Sequence, residues 1–379
     1  MAPILSPAAA QRNRLPNRLL TAARGGETIR SGHAAMPANL SPEYKDAQEK
    51  FRRAREPQEK LECLREMLRT IPKHKGTEHL QAEIKTRVKE LTDELGGPKK
   101  GAVRGGPDLT VRHEGAAQVT LVGPPNCGKS SLHARLTGSH AVVGPYPFST
   151  KHPLPGMLLQ EDVQFQLVDL PPVSGDYFEP WMSGTLHNAD AVAIVVDLSD
   201  PGCVEQLDAI ERRLAEKKVS LVPRLGAPPP AALGEDVDEA SLDPFRARLP
   251  TLLLANKADL FDDPEAELAV FREIAPDPFA SLAVSAETGA GLAAVGPALF
   301  SLLGIVRVYS KVPGHPPDLG RPFALRGGGN VRDVAQQVHR GMAAELKFAR
   351  VWGPSAEFEG QQVSAAHVVK DRDVVELHW

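Results

Sequence analysis

Residues Gly123 to Ser130 read GPPNCGKS, which satisfies the phosphate-loop pattern G-x-x-x-x-G-K-[ST]. The apolar run Val119 to Val122 leads into it, and Ser131 to Leu136 continues as a helix start. A strand that feeds a glycine-rich turn and then a helix aims several backbone N–H groups, with the positive helix end, at one point. Such a point binds a chain of phosphates, and it commits the surrounding chain to an α/β sheet with its ligand at the strand ends. Gly123, Pro124, Pro125, Asn126, Cys127, Gly128, Lys129, Ser130 and Ser131 are the candidate phosphate-binding residues. Lys129 is the catalytic cation for the β- and γ-phosphates, and the Ser130 hydroxyl is a candidate ligand of a Mg²⁺ ion.

Phosphate binding does not select a base. Asn256-Lys257-Ala258-Asp259 follows a second apolar run, Leu252 to Ala255, which places it at the carboxyl end of a strand. A carboxylate at Asp259 accepts two hydrogen bonds from the ring N–H and the exocyclic amine of guanine; adenine offers neither. Asn256 is expected to tie this loop to the phosphate loop, and the stem of Lys257 to cover a base face. A third segment, Ser285-Ala286-Glu287, also ends an apolar run, and the Ala286 N–H is expected to meet the guanine oxygen. Alone the tetrad NKAD is a weak signal, and its place after the phosphate loop and before SAET makes guanine the base. The expected ligands are GTP and GDP.

The strand Gln166 to Asp169 ends in an acid, and Asp169 fits the carboxylate that reaches Mg²⁺ through water. Within Tyr146-Pro147-Phe148-Ser149-Thr150, Thr150 is the candidate switch hydroxyl on Mg²⁺ and a catalytic residue, with Ser149 its competitor. Four residues past Asp169 stands Val173, which cannot orient an attacking water. Asn126 is therefore the third catalytic candidate, its side-chain carbonyl placed to help hold K⁺ beside the phosphates. The alternative is that Asn126 stabilises its own turn.

GPPNCGKS, YPFST, DLPP, NKAD and SAET in this order resemble the Obg-like translation-factor GTPases, on the branch of the developmentally regulated GTP-binding proteins. The carboxyl end is similar to the TGS domain of that branch through Val308-Tyr309-Ser310-Lys311, Pro317-Asp318-Leu319, Val338-His339-Arg340, Lys347 to Gly353 and Asp371 to Leu377. The resemblance implies a Mg²⁺-dependent GTPase associated with the ribosome or RNA, a hydrophobic residue in place of the catalytic glutamine, and stimulation by potassium where asparagine stands at position 126. The chain departs from the pattern in three ways. Pro172 stands where the family has glycine, Ser174 to Trp181 is aromatic and acidic rather than glycine-rich, and the spacing from Asp169 to Asp190 leaves no room for an inserted domain. An alternative function is a nucleotide-responsive binding module with little turnover that docks to RNA or a partner protein.

The expected fold class is α/β: a P-loop GTPase domain with a mostly parallel sheet, preceded by a helical hairpin and followed by a β-grasp, ubiquitin-like TGS domain. Boundaries are read as a disordered leader at 1–40, the hairpin at 41–97, a linker at 98–115, the GTPase domain at 116–304 and the TGS domain at 305–379. The leader is rich in alanine and arginine with Glu27 its single acid, and translation starting at Met36 is a competing reading. In the hairpin, Leu61, Leu64, Met67 and Leu68 fall at helical spacing, as do Leu80, Ile84, Val88 and Leu91. In the GTPase domain, strands are expected at Asp190 to Leu198 and Thr251 to Ala255, and helices at Cys203 to Lys218, Pro264 to Ala275 and Leu292 to Leu303. Leu225 to Ala247 is read as a mobile surface loop without a functional role. In the TGS region Asn330 is expected to cap a helix whose Val331, Val334, Val338 and Met342 share a face.

Arg326, Arg332, Arg340, Lys347 and Arg350 are read first as a solvated face and considered second as a phosphate-facing patch beside Trp352, with Asp371, Asp373 and Glu376 opposing it. His339 and His367 are read as surface or packing residues. The net charge of −4 excludes simple electrostatic coating of nucleic acid, so contact with ribosome or RNA through the TGS domain and the hairpin would need such a local patch or an accessory protein. Cys63, Cys127 and Cys203 are scattered without metal spacing, which points to a reducing, cytoplasmic compartment. No apolar run is long enough to span a bilayer, so no membrane partner is expected.

Overall fold

Ser41 opens the first helix, α1 (Pro42–Arg53), with an extended backbone and a hydroxyl that accepts the Tyr44 amide at 3.2 Å, the N-cap arrangement that a following proline suits. The computed structural model describes residues 41–54, 56–73, 77–95, 111–139, 152–175, 177–225, 243, 245–275, 278–339, 343 and 345–379. Proline also opens α2 (Pro57–Thr70), and α3 (Glu78–Leu95) follows. The region expected as a helical hairpin is thus three helices. Pro57 is the reason: it has no N–H to give and holds the preceding residue in an extended state, as Glu56 shows with ψ 137°.

Tyr44, Ala47, Leu64, Met67, Ile71 and Ile84 bury one another, and Phe245 joins them from far along the chain. Phe245 packs edge-on against Phe51 at 5.9 Å and lies under the Arg87 guanidinium at 4.6 Å. The segment read as a surface loop without a role therefore ends in a residue that seats the helices on the rest of the molecule; 226–242 and 244 lie outside the described residues. Lys218 adds ion pairs to Glu83 at 2.6 Å and Asp243 at 3.2 Å.

The nucleotide domain is built on β1 (Ala117–Val122), all six residues of which are buried. After it come α4 (Lys129–Thr137), β2 (Leu154–Gln160), β3 (Val163–Asp169), α5 (Pro180–Asn188), β4 (Ala191–Asp197), α6 (Cys203–Glu216), β5 (Val219–Val222), β6 (Ala247–Asn256), α7 (Pro264–Ile274), β7 (Ala280–Ala283) and α8 (Val295–Leu302). The sheet runs β2-β3-β1-β4-β6-β5, with β7 also on β6. All its pairs are parallel except β2 with β3. Apolar residues cover both faces in two clusters, one around Ile194, Leu207 and Leu253 and one around Leu121, Leu132 and Leu254. Near-continuous apolar strands are what a parallel sheet between helix layers requires. The four-residue β5 was not expected, and the helix read from Leu292 begins as a single tight turn before α8.

The carboxyl-terminal sheet comprises β8 (Val306–Lys311), β9 (Pro317–Leu325), β10 (Phe348–Trp352), β11 (Gln361–Val363) and β12 (Asp373–His378), with α9 (Val331–Val338) between β9 and β10. Its order is β11-β10-β12-β8-β9, and β12 is parallel to β8. Asn330 caps α9 reciprocally: its side chain accepts from the Asp333 N–H and the Asp333 carboxylate accepts from the Asn330 N–H. Val331 and Val334 are buried, but Val338 is 42% exposed and leaves the expected apolar face; Met342 lies outside the described residues.

Of the cations considered beside Trp352, Arg326 and Lys347 are engaged elsewhere. Arg326 is ion-paired with Asp190 of the nucleotide domain, Lys347 donates to the Trp379 carbonyl, and Lys311, not an arginine, stands over the Trp352 ring at 4.4 Å. Arg340 is outside the described residues. The opposing acids are engaged as well: Asp371 by Arg307, Glu376 by Lys311 and His378, and buried Asp373 by the backbone N–H groups of Ser355 and Lys370. His367 meets the Ser355 hydroxyl at 3.0 Å, a packing role.

Candidate functional site

The phosphate loop lies between β1 and α4, and its turn is possible because of two left-handed residues, Asn126 at φ 62° and Gly128 at φ 88°. Gly128 is needed twice over. A Cβ there would also stand 2.2 Å from Asn256 Nδ2. Asn126 is exposed, and asparagine is among the few side-chain-bearing residues that tolerate this conformation. Lys129 is only 5% exposed, and its ammonium donates to the carbonyls of Gly123 at 3.0 Å and Pro124 at 2.9 Å. The fold thus spans the loop with the positive charge that a phosphate chain needs. Burial pushes the Cys127 thiol up in spite of the neighbouring Lys129, so it packs as a small apolar group.

At the end of β3, Asp169 is fully buried and accepts the Ser130 hydroxyl at 2.6 Å. A hydroxyl and a carboxylate joined in this way form an all-oxygen donor set suited to a hard cation such as Mg²⁺. Among the described residues no group of three or more His, Cys, Asp or Glu side chains could hold a metal. Thr150, Ser149 and the rest of YPFST lie outside the described residues.

The phosphate loop, the NKAD loop and the SAET loop meet through Asn256. Its amide nitrogen donates to the Cys127 carbonyl at 2.8 Å, and its oxygen accepts the Ala286 N–H at 3.0 Å. One side chain at the end of β6 therefore joins all three motifs. Asp259 is solvent-facing, with one carboxylate oxygen held by Ser285 Oγ, which also accepts the Thr288 N–H. Lys257 is left-handed at φ 64° and pairs with Asp197 at the end of β4, which holds its stem alongside the Asp259 loop. Glu287 is exposed and offers its carbonyl to Arg135 at 2.6 Å, while Ala286 offers its carbonyl to the same guanidinium at 3.0 Å. Sequence reasoning missed Arg135. Its only signal was a basic residue late in α4, which reads as a solvated face.

Val173 is fully buried, in the cluster containing Met182 and Leu186, and its N–H donates to the Gly123 carbonyl at 3.0 Å. The position at which a water-orienting side chain would be expected is thus in the core. Beyond it, the Ser174 hydroxyl accepts the Tyr177 N–H, and Arg213 of α6 donates to the Gly175 carbonyl.

Behind the loop, His133 is fully buried, with Nε2 at 3.2 Å from the Leu167 carbonyl and Nδ1 at 3.2 Å from Ser139 Oγ. Burial lowers its pKa from the ordinary value against the opposing charge of Asp169, so the folded chain keeps the ring neutral. The unfolded chain takes up that proton below about pH 6.5. Stability is therefore complete above that value and falls as the pH drops toward the lower folded value, by up to about 1.4 kcal/mol per pH unit. Urea midpoints are expected to be lower at pH 5.0 than at pH 7.5, with the gap narrowed in His133→Gln; an unchanged gap would assign the effect to other groups.

Comparison with known proteins accords with this geometry. Residues 118–224 match the family model described as 50S ribosome-binding GTPase, and 306–378 that of the TGS domain. Developmentally-regulated G-protein 2 of Arabidopsis thaliana is 28% identical over 359 residues, covering 82% of this chain and 88% of the relative. An uncharacterized GTP-binding protein of Halobacterium salinarum is 29% identical over 371 residues, covering 84% and 98%. A solved structure of an S. thermophilus NFeoB variant bound to GMPPNP aligns over 49% of this chain and 62% of that one, at 21% identity and TM-score 0.35. With both domain matches in the order that the motifs take along the chain, the protein carries a P-loop GTPase domain followed by a carboxyl-terminal TGS domain, and its relatives over most of its length include developmentally regulated G-proteins.

Proposed function

We propose that the protein binds GTP and hydrolyses it to GDP and phosphate in a Mg²⁺-dependent cycle, as a switch acting at the ribosome or on RNA. The observation that carries this reading is Asn256, which joins the phosphate loop to the Ala286 loop and so makes one site of the motifs for phosphate and for guanine. In that site the loop N–H groups and Lys129 take up phosphate charge, and the Asp259 carboxylate reads the base. Ser130 and Asp169 would hold Mg²⁺, with Thr150 as the second hydroxyl; the ion neutralises the charge on the phosphate oxygens.

With Val173 in the core, no side chain at that position orients water, so the charge that develops on the phosphates must be met electrostatically. We assign that task to Lys129 and to a potassium ion assisted by the Asn126 carbonyl. The left-handed backbone of Asn126 gives this residue a second reason to be asparagine, and the test must separate the two. Turnover is expected to be faster in potassium than in sodium, and Asn126→Ala to remove the difference while GDP binding stays within a few-fold. Equal rates in both salts would leave Asn126 as a turn residue.

Ribosome or RNA association is supported by the description of the matched GTPase family, and the terminal domains are the parts of the chain that the nucleotide site leaves available. Co-sedimentation with ribosomes is expected to be stronger with a non-hydrolysable GTP analogue than with GDP. No helix among the described residues is long and apolar enough to cross a membrane.

A further inference from the structure

The hairpin of β2 and β3 is paired along its whole length, from Leu154 opposite Asp169 to Gln160 opposite Val163. One end carries Asp169 and adjoins the segment that holds Thr150. The other end is the turn Glu161-Asp162, seven residues of β3 away, or about 20 Å at the usual rise per residue. That turn is held by the TGS domain. Arg307 of β8 donates through one terminal nitrogen to both Glu161 and Asp162, the latter at 3.1 Å. Its Nε and other terminal nitrogen grip both oxygens of Asp371, at 3.0 and 2.7 Å. The Tyr309 hydroxyl donates to Asp162 at 2.5 Å, and Arg372 reaches Glu161 at 3.2 Å.

The Arg307 side chain is 6% exposed, and Phe300 of α8 lies against its guanidinium at 4.9 Å. Asp371 of the same domain holds two of its nitrogens, and the remaining terminal nitrogen is matched to the turn only while the two domains are docked. Between the two ends, Gln166 in the middle of β3 accepts from Gln118 of β1 and donates to the Arg112 carbonyl, so β3 is held in register along the hairpin.

We propose that Arg307 is a positioning residue for the GTP site, setting through the hairpin where Asp169 stands beside the phosphate loop. Docking of the TGS domain and the nucleotide state are then linked, and linkage is reciprocal: whatever alters the grip on the turn alters the relative affinities for GTP and GDP. This rests on the GTP site as read above.

The test uses the full chain with calorimetric titrations of GDP and GMPPNP and a melting curve for each variant. Tyr309→Phe removes one hydroxyl from the turn and is the mildest change, while Arg307→Lys removes the fork. Lys311→Ala breaks the pair to Glu376, which lies wholly within the TGS sheet, and serves as the control. Both turn variants are expected to change the ratio of GMPPNP to GDP affinity by at least about fivefold in the same direction, the lower range of allosteric coupling. Lys311→Ala is expected to lower the melting temperature and leave the ratio as in the natural chain. Lowered melting temperatures with an unchanged ratio in both turn variants would make the contact a docking contact only. A natural chain that binds neither nucleotide would overturn the reading of the GTP site itself.

Discussion

Asp259→Asn is expected to lower GTP affinity about ten- to a hundredfold, because a hydrogen bond to a charged group is worth roughly 1.5–3 kcal/mol and each 1.4 kcal/mol is a decade. The Ser285 hydroxyl that now donates to Asp259 can donate equally to the carbonyl of an asparagine. The loop should therefore keep its shape while it loses the charge. Guanine presents an amine and a ring N–H to this carboxylate, whereas xanthine presents a carbonyl in place of the amine, which an asparagine amide can meet. The same variant is thus expected to gain affinity for xanthosine triphosphate as it loses GTP. Isothermal calorimetry with both nucleotides reads the exchange, and unchanged GTP affinity would remove Asp259 from the site.

Pro172→Gly is expected to strengthen binding of a non-hydrolysable GTP analogue by about ten- to a hundredfold, the worth of one hydrogen bond to a charged oxygen, with much less effect on GDP. The structure sharpens the reason. Leu170 extends the β3 ladder onto Leu121 at 3.4 Å, and Val173 donates to Gly123 at 3.0 Å. Between them stand two buried prolines that have no N–H to offer. The segment runs beside the phosphate loop but presents no donor for the γ-phosphate, so the natural chain should prefer GTP over GDP only weakly. A ligand shifts a switch only by its differential affinity for the two states, which leaves Thr150, Mg²⁺ or a partner to supply the difference. Equal effects on the analogue and GDP would mean that this segment never meets the third phosphate.

The motifs that were legible are those whose chemistry is local. A phosphate loop works through its own N–H groups and a lysine within it, so GPPNCGKS could be read without the fold, and Asn256 could be tied to it because the tetrad demands a strand end. Arg135 could not be found in this way. Its partners are the carbonyls of Ala286 and Glu287, 151 and 152 positions away, and a backbone carbonyl leaves no mark in sequence. The same is true of Arg307, whose carboxylate partners in the hairpin turn lie 146 and 145 positions away. Arg326 is a further case: considered as facing solvent or phosphate, it is paired with Asp190. Periodicity found the apolar faces of α2 and α3 but said nothing of α1, whose start is marked by Ser41 and Pro42 instead. It also passed over Phe245, a lone aromatic residue outside any periodic run.

The proposed chemistry is GTP hydrolysis at a site built from Lys129, Asn256 and Asp259. Phosphate release from GTP by the full chain in magnesium and potassium, with ATP as competitor and Lys129→Ala alongside, tests it most directly. Slow, saturable release is expected that excess ATP does not suppress and that Lys129→Ala abolishes; release that survives Lys129→Ala, or that ATP suppresses as well as unlabelled GTP does, would rule out hydrolysis at this site.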